Sequence, residues 1–371
     1  MLLAAFLSCS ITVSAEEFRL TSRVVFEGAV DGSAGAGVGD GFFIGATDEE
    51  NQLRLYDSKN GAHAKKLDVD VEGAVKTALG VDKIKECDLE GAAKMGDLIF
   101  WIGSHGRNSE AKEKKERQVL FATKLDGVGK DAQLKMEGQV YTKLLDDLIN
   151  DPALAPFDLA TAATRAPKDK GALNIESLAA DDGKLWIGFR NPIKDGKALM
   201  VPLLNPREVI EKDGKARLGE PITLNLSGLG FRDMVRWHDS FLIIAGDFID
   251  RFDQEAKPAP RPSRLFSWKL GTEPHDIGVN LGDLNPEAIV IMDQGDKSEI
   301  LILSDDGKYP DRAGKNVFRG VWLQDVDKAK QQGQRTDRNP RSIGNARKVR
   351  ESQVYKDQFL GSIKDRLVPL Q

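Results

Sequence analysis

The chain has 371 residues, 40% hydrophobic and 30% charged, which is enough for one large or two ordinary globular cores and excludes a disordered polymer. A formal net charge of -5, with no long basic stripe interleaved with aromatics, argues against a nucleic-acid partner.

The first fifteen residues, MLLAAFLSCSITVSA, are uncharged and run directly into Glu16 and Glu17. They read as a signal peptide cleaved near Ala15: the apolar run falls short of the about 20 residues a membrane-spanning helix needs, and Val13-Ser14-Ala15 suits signal peptidase. A basic segment ahead of the apolar run is missing. The reading predicts a secreted or periplasmic protein with no membrane span. Cys9 could mark a lipoprotein site, but little apolar sequence precedes it. Cleavage leaves Cys87 as the remaining cysteine, so an internal disulfide is excluded and the fold must rest on its core. Cys87 reads as a small buried residue rather than a nucleophile, because its motif offers no paired histidine.

From Phe18 onward, short strand-like runs such as GFFIGA, LRLYD, LIFWIGS, KLWIGFR, SFLIIAGD, AIVIMD and EILILSD alternate with Gly, Asp, Asn and Pro turns. The chain is therefore all-β. The main helical segment is VYTKLLDDLINDPAL, an insertion over about 140–155 with Leu144, Leu145, Leu148 and Ile149 on one face. NPREVIEKDG, from Asn205 to Gly214, predicts one or two further turns. Residues 331–371 are polar and locally basic and predict a solvated tail, with a closing strand as an alternative.

A repeated unit sets the architecture. CDLEGAAKMGDLIFWIGSHGRN, from Cys87 to Asn108, is nearly repeated by NIESLAADDGKLWIGFRN, from Asn174 to Asn191. An acid, a small-apolar step, a tight turn and a strand of large apolar residues recur at Glu90, Glu176, Asp233 and Glu287, and Glu49 belongs to an earlier, looser unit. The spacings from Glu49 are 41, 86, 57 and 54 residues, the long interval holding the helical insertion. Several strands per unit at this period predict a β-propeller over residues 16–330 with five or six blades. The sixth would come from Phe18 to Val25 pairing with C-terminal strands and closing the ring.

Equivalent positions on successive blades meet at one mouth of the axis, so Glu90, Glu176, Asp233 and Glu287 are expected to converge and to need compensation. Oxygen donors without a Cys or His cluster suit a hard divalent cation, Ca²⁺ most of all. The alternative is a metal-free network in which Arg107, Arg190 and Arg232 pair with the carboxylates. Arg107, Asn108, Arg190, Asn191 and Arg232 are the candidate ligand-binding residues. His105, at a polar tip, and Glu49 are the candidates for moving a proton, the bland alternative for His105 being a loop residue bonded to backbone. Trp101, Trp186 and Trp237 read as blade core rather than as carbohydrate-stacking platforms.

The ordered motifs DLEGAA…GDLIFWIGSHGRN, NIESLA…GKLWIGFRNP, GKALMVPLLNP, GLGFRDM and NPEAIVI resemble a bacterial family catalogued as domain of unknown function 3616, over roughly Gly35 to Gln324. More distantly, LEGAA is similar to the Glu-Gly signature of esterase-like phytase propellers and to calcium-bound propellers of the gluconolactonase and strictosidine-synthase type. That resemblance implies a metal at the axial mouth and hydrolysis of phosphoesters or lactones in some members. Here Glu176-Ser177 and Arg232-Asp233-Met234 depart from the Glu-Gly pattern. Two functions stay open: a metal-assisted hydrolase acting on a small polar ligand or phosphoester, and a non-catalytic binding or scaffolding propeller whose acid and arginine ring is structural.

Overall fold

The structure, a computed structural model, describes residues 18–61, 64–212, 214–249, 259–294, 297–307 and 316–326. The expected signal peptide and the 331–371 tail lie outside the described residues. The five acids and His105 lie within them.

The described strands form five four-stranded antiparallel sheets. The first contains β2 (Ala34–Gly39), β3 (Phe42–Ala46), β4 (Arg54–Asp57) and β5 (Lys65–Lys66). The second contains β6 (Leu89–Met95), β7 (Leu98–Gly103), β8 (Leu120–Asp126) and β9 (Gln133–Tyr141). The third contains β10 (Asn174–Asp181), β11 (Lys184–Lys194), β12 (Lys197–Leu203) and β13 (Ile222–Leu224). The fourth contains β14 (Gly230–Trp237), β15 (Ser240–Gly246), β16 (Arg264–Trp268) and β17 (His275–Asp276). The fifth contains β18 (Pro286–Gln294), β19 (Lys297–Ser304), β20 (Val317–Asp325) and, outermost, β1 (Phe18–Glu27).

Strands β2, β6, β10, β14 and β18 each touch their neighbours in cyclic order, so the sheets are the blades of a five-bladed propeller and these strands line its axis. The N-terminal strand does close the ring, but as the fourth strand of blade five, not as a sixth blade. It pairs with β20 from Phe18↔Asp325 to Glu27↔Val317.

Small residues let the inner strands come together. Gly35, Ala36, Gly37, Ala92, Ala93 and Ala179 are among the residues lining one end of the axis, an opening of about 350 Å³. Outward of this, large apolar side chains from successive blades interleave. Trp101, Trp186 and Trp237 are buried as expected for core, and Trp101 Nε1 donates to Thr123 Oγ1 at 2.9 Å.

The helical insertion begins four residues later than the sequence pattern implies and is broken into three short pieces. Val140 and Tyr141 finish β9, helix α2 covers Leu144–Asn150, and a 3₁₀ turn (Pro152–Phe157) and α3 (Leu159–Ala162) follow. Helix α4, Pro206–Lys212, is the short second helix. An unforeseen helix, α1 (Val71–Leu79), is capped by Asp70 accepting from Gly73 N at 2.8 Å and ended by Gly80 in the left-handed conformation. No helix among the described residues is long and apolar enough to cross a membrane.

Candidate functional site

At the opposite end of the axis from the Gly- and Ala-lined opening lies a cleft of about 440 Å³. Eight carboxylates and five Lys or Arg side chains line it, with contributions from blades one, two, three and five. The inner strands deliver the acids through a shared irregularity. The register with the second strand of the blade slips between Leu89 and Gly91, Ile175 and Ser177, Phe231 and Asp233, and Pro286 and Ala288. A bulge leaves one extra residue outside the regular ladder and re-aims its side chain. Those residues are Glu90, Glu176, Arg232 and Glu287.

The fourth equivalent of the three glutamates is thus Arg232, not Asp233. Asp233 is one residue out of phase and turns into the wall, accepting from Met234 N and Ile289 N, each at 2.7 Å. Burial pushes its carboxyl well above the usual range, and the two backbone donors oppose this. In blade one, Ser33, directly ahead of the Ala34↔Ala46 pair, stands in the ladder where the others carry Glu or Arg, and Glu49 lies after β3, not on the inner strand.

The ring divides into two halves. In one, arginines compensate. Arg190 Nη1 lies 2.6 Å from Glu176 Oε1, and Arg232 Nε lies 3.2 Å from Glu176 Oε2. Arg232 also pairs with Glu287. Asn174 Nδ2 donates to Glu176 Oε1 at 2.6 Å, and Arg190 Nε donates to Asp247 O at 2.7 Å. For Glu176 with Arg190 and Asn174 this is the buried, hydrogen-bonded pairing that makes interior charges tolerable. Burial, followed by repulsion from Arg190, lowers the pKa of Arg232, while Glu176 and Glu90 oppose that shift.

The other half is acid on acid. Asp48, Asp88 and Glu90, from blades one and two, each place an oxygen so that the three lie within 4.8 Å of one another. Burial, and then repulsion from Glu176, Asp88 and Asp48, drives Glu90 well above the ordinary carboxyl range. Asp48 is driven up by burial and by Asp31, Asp88 and Asp305. Asp88 is also raised by burial, although Arg117 opposes it. Arg117 Nη1 donates to Asp88 Oδ2 at 2.8 Å and Nη2 to Glu86 Oε1 at 2.7 Å. No ion pair to Asp48 or Glu90 is present among the described residues. Asp31, beneath Asp48, holds one oxygen, Oδ2, buried without a donor.

This donor set fits a hard cation. Opposite oxygens around one Ca²⁺ stand about 5 Å apart at bond lengths of about 2.3–2.6 Å, close to the spread of the three carboxylates. Three carboxylates fill fewer than the six to eight positions such an ion takes, which leaves a face open to the cleft.

The remaining candidates fall in different places. Glu49 is exposed on the cleft wall. Asn108 also lines it, but its Oδ1 accepts from Glu110 N at 3.1 Å and Lys112 N at 2.8 Å, holding its own loop. Arg107 donates to Ala163 O and Ala111 O, away from the acids. Asn191 is buried and donates to Asp169 O at 2.8 Å. His105 is 1% exposed, its Nδ1 lies 2.8 Å from Gly103 O, and burial lowers its pKa to about 4. It is a neutral, enclosed ring, not a residue of the cleft wall. Cys87 is likewise buried, its thiol pushed up to about 12 by burial. Asp31, Asp88, Arg117 and Asp305 belong to the site and were not singled out from the sequence. The signal for Asp88 was an Asp or Asn standing two residues ahead of each bulge glutamate, at Asp88, Asn174 and Asn285.

Solved structures that the chain resembles are themselves distant. The allergen Mala s 1 of Malassezia sympodialis has 10% identity and a TM-score of 0.45, over 81% of this chain and 96% of that one. The PQQ-bound aldose sugar dehydrogenase of Streptomyces coelicolor has 12% identity and a TM-score of 0.43, over 84% and 99%. The glutaminyl cyclase of Myxococcus xanthus has 12% identity and a TM-score of 0.40, over 83% and 96%. No curated protein matches the chain. The profile of one family, described as "Protein of unknown function (DUF3616)", matches residues 31–140 and 128–317, most of all five blades. By that match the chain belongs to the DUF3616 family, as its ordered motifs led one to expect.

Proposed function

We propose that this propeller is an exported protein that holds one divalent cation, Ca²⁺ by donor chemistry, on Asp48, Asp88 and Glu90, and takes a small polar ligand such as a phosphoester or lactone in the cleft above. The observation that carries the reading is the convergence of these carboxylates from two blades within 4.8 Å, with no arginine paired to Asp48 or Glu90 among the described residues. This refines the expected ligand set. Glu176 and Glu287 are already neutralised by Arg190 and Arg232, and Asp233 is turned away.

When bound, such a cation polarises a phosphoryl or acyl oxygen and makes water a better nucleophile. Arg117, itself on the cleft wall, holds Asp88 in place. Glu49 is the exposed carboxylate positioned on the wall to accept a proton. Lys85 and Lys168, on the same wall, supply positive charge for an anionic ligand. His105 has no part in this scheme. A non-catalytic binding propeller is the second reading, favoured by the buried arginine half of the ring, which is a structural element whatever the other half does.

Dialysis of the full chain against chelator should lower its melting temperature, and Ca²⁺ should restore it in wild type but not in Glu90→Gln. Unchanged melting in the wild type would refute the cation site. Turnover of phosphoester and lactone panels should be lost in Glu90→Gln and reduced at least tenfold in Glu49→Gln. Equal turnover in all three proteins would refute hydrolysis, and Ca²⁺ binding without turnover selects the binding propeller.

A further inference from the structure

We infer that the loop of residues 163–173 is the wall that reads the ligand's charge: Lys168 takes the anionic group of a phosphomonoester, Arg107 and Asn191 position Lys168, and a neutral lactone is not the ligand; this rests on the cation reading above. The loop runs from α3 to β10, and Pro167 and Lys168 bring it onto the cleft. One residue from each of the two Arg-Asn tips holds it. Arg107 Nε, from blade two, donates to Ala163 O at 2.6 Å, at the start of the loop. Asn191 Nδ2, from blade three, donates to Pro167 O at 3.3 Å and to Asp169 O at 2.8 Å, the carbonyls on either side of Lys168.

Asn191 is 1% exposed, so the backbone beneath Lys168 hangs from a fixed interior point. The loop adds turns of its own, with Asp169 N donating to Ala166 O at 2.9 Å and Ala172 N to Asp169 O at 3.1 Å. Lys85, on the wall of the same cleft, is held by the same device. Asn51 of blade one donates from Nδ2 to Lys85 O at 2.8 Å, and its Oδ1 accepts from Cys87 N at 2.7 Å. An asparagine from another segment thus fixes the chain under each lysine. A backbone fixed in advance lowers the ordering cost that a long lysine side chain meets on binding.

Arg190 is committed to Glu176, Arg117 to Glu86 and Asp88, and Lys114 stands 3.5 Å from Glu116. Of the five cations on the wall, Lys85 and Lys168 are the two that are exposed. Eight carboxylates repel an entering anion, and a phosphomonoester carries about two negative charges at neutral pH. An ion on Asp48, Asp88 and Glu90 answers part of that charge. Exposed lysines on the wall answer the rest, as point charges toward phosphate oxygens. A lactone is uncharged and gains nothing from either lysine.

The test uses the full chain loaded with Ca²⁺, with phenyl phosphate and δ-valerolactone as probes and binding followed by calorimetry. Wild type should bind phenyl phosphate and not the lactone, and should bind it less tightly as salt rises. Lys168→Gln and Asn191→Ala should each weaken phenyl phosphate about fivefold without changing the affinity for Ca²⁺, and Lys168→Arg should stay within about twofold of wild type. The double variant should bind no worse than Lys168→Gln alone, because Asn191 acts through Lys168; a merely structural asparagine would add its own loss. Phenyl phosphate affinity that is unchanged in Lys168→Gln, or Ca²⁺ binding by the wild type without phenyl phosphate binding, overturns this proposal and leaves the cation site standing. Losses that add in the double variant overturn the positioning role. Absence of Ca²⁺ binding by the wild type overturns both readings. Should Asn191→Ala fail to fold, Arg107→Gln replaces it in the same comparison: a loss that vanishes in the Lys168→Gln background supports the proposal and an additive loss overturns it.

Discussion

His105 sits at the end of the β7 strand that its own sequence motif advertises, yet it is enclosed, with backbone φ of 56° and Nδ1 facing the carbonyl of Gly103. A histidine in a polar Gly-Ser-His-Gly-Arg-Asn tip looks like a functional group because such tips often face ligands. Here the tip folds inward, and the buried imidazole titrates at about 4. The unfolded chain takes up that proton at about pH 6.5, so between pH 6.5 and 4 the unfolded state binds more protons than the folded one. Stability from this residue is therefore present above about pH 6.5 and lost as pH falls towards 4, by roughly 3 kcal/mol across the window. Asp233, with its raised carboxyl, acts in the opposite direction, so the difference between two proteins isolates the histidine. Urea unfolding at pH 7 and pH 4.5 should show a smaller loss in His105→Asn than in wild type, asparagine being tolerant of positive φ. Parallel losses would mean the imidazole is protonated in the folded protein. Residue identity alone cannot reveal burial, which explains why His105 was legible as unusual but not as enclosed. Glu90 was legible because it repeats. Asp31 was not, because its blade carries Ser33 where the others carry Glu or Arg.

A strand with a bulge shifts its reading by one residue, and that shift separates Asp233 from the glutamates it seemed to match. Acid type and spacing from the following turn are the only cues in a sequence, and neither shows which residue leaves the ladder. The arginine at that position has a large consequence. Arg232 is 4% exposed and stands against Glu176 and Glu287, so it compensates two of the three bulge glutamates. Arg232→Met should cost about 3–5 kcal/mol, since it strands buried charge without its partner. The triple variant Arg232→Met, Glu176→Gln, Glu287→Gln should recover much of that loss in chemical denaturation. A single variant as stable as wild type would show the arginine half of the ring to be dispensable. Helices were read less well for a related reason. Helix α1 contains Gly73 and two buried valines, Val71 and Val75, a composition that favours strand or turn; its caps and its packing beside β9 override that preference. Val140 and Tyr141 continue the apolar face of α2 in sequence but hydrogen-bond as strand, which is where the expected insertion lost its first turn.

Ring closure is a property of the molecule as a whole, and in this propeller it rests on β1 pairing along β20 and on the aromatic cluster that β1 brings with it. The N-terminal strand was legible as the closing piece, because a strand stranded before the first repeat needs a partner. Its place was not, because strand count per blade is set by pairing and not by period. Phe26 of β1 is fully buried, with ring centroids 5.1 Å from Phe43 and 5.6 Å from Tyr56 of blade one, and 5.1 Å from Phe318 of its own blade. The strand thus fills the wedge between the last blade and the first as well as completing a sheet. Phe26→Ala removes an aromatic from a closed core and should cost about 3–5 kcal/mol. Val25, exposed on the other face of the same strand, offers the matched control, and Val25→Ala should fall within about 0.5 kcal/mol of wild type. Because the rings touched by Phe26 belong to two blades, its loss should also act at a distance. Limited proteolysis of Phe26→Ala should cut within blades one and five before blades two to four, whereas a merely local cavity would leave the cleavage pattern of the wild type. Equal stability of the two variants would place closure in the backbone pairing of β1 alone.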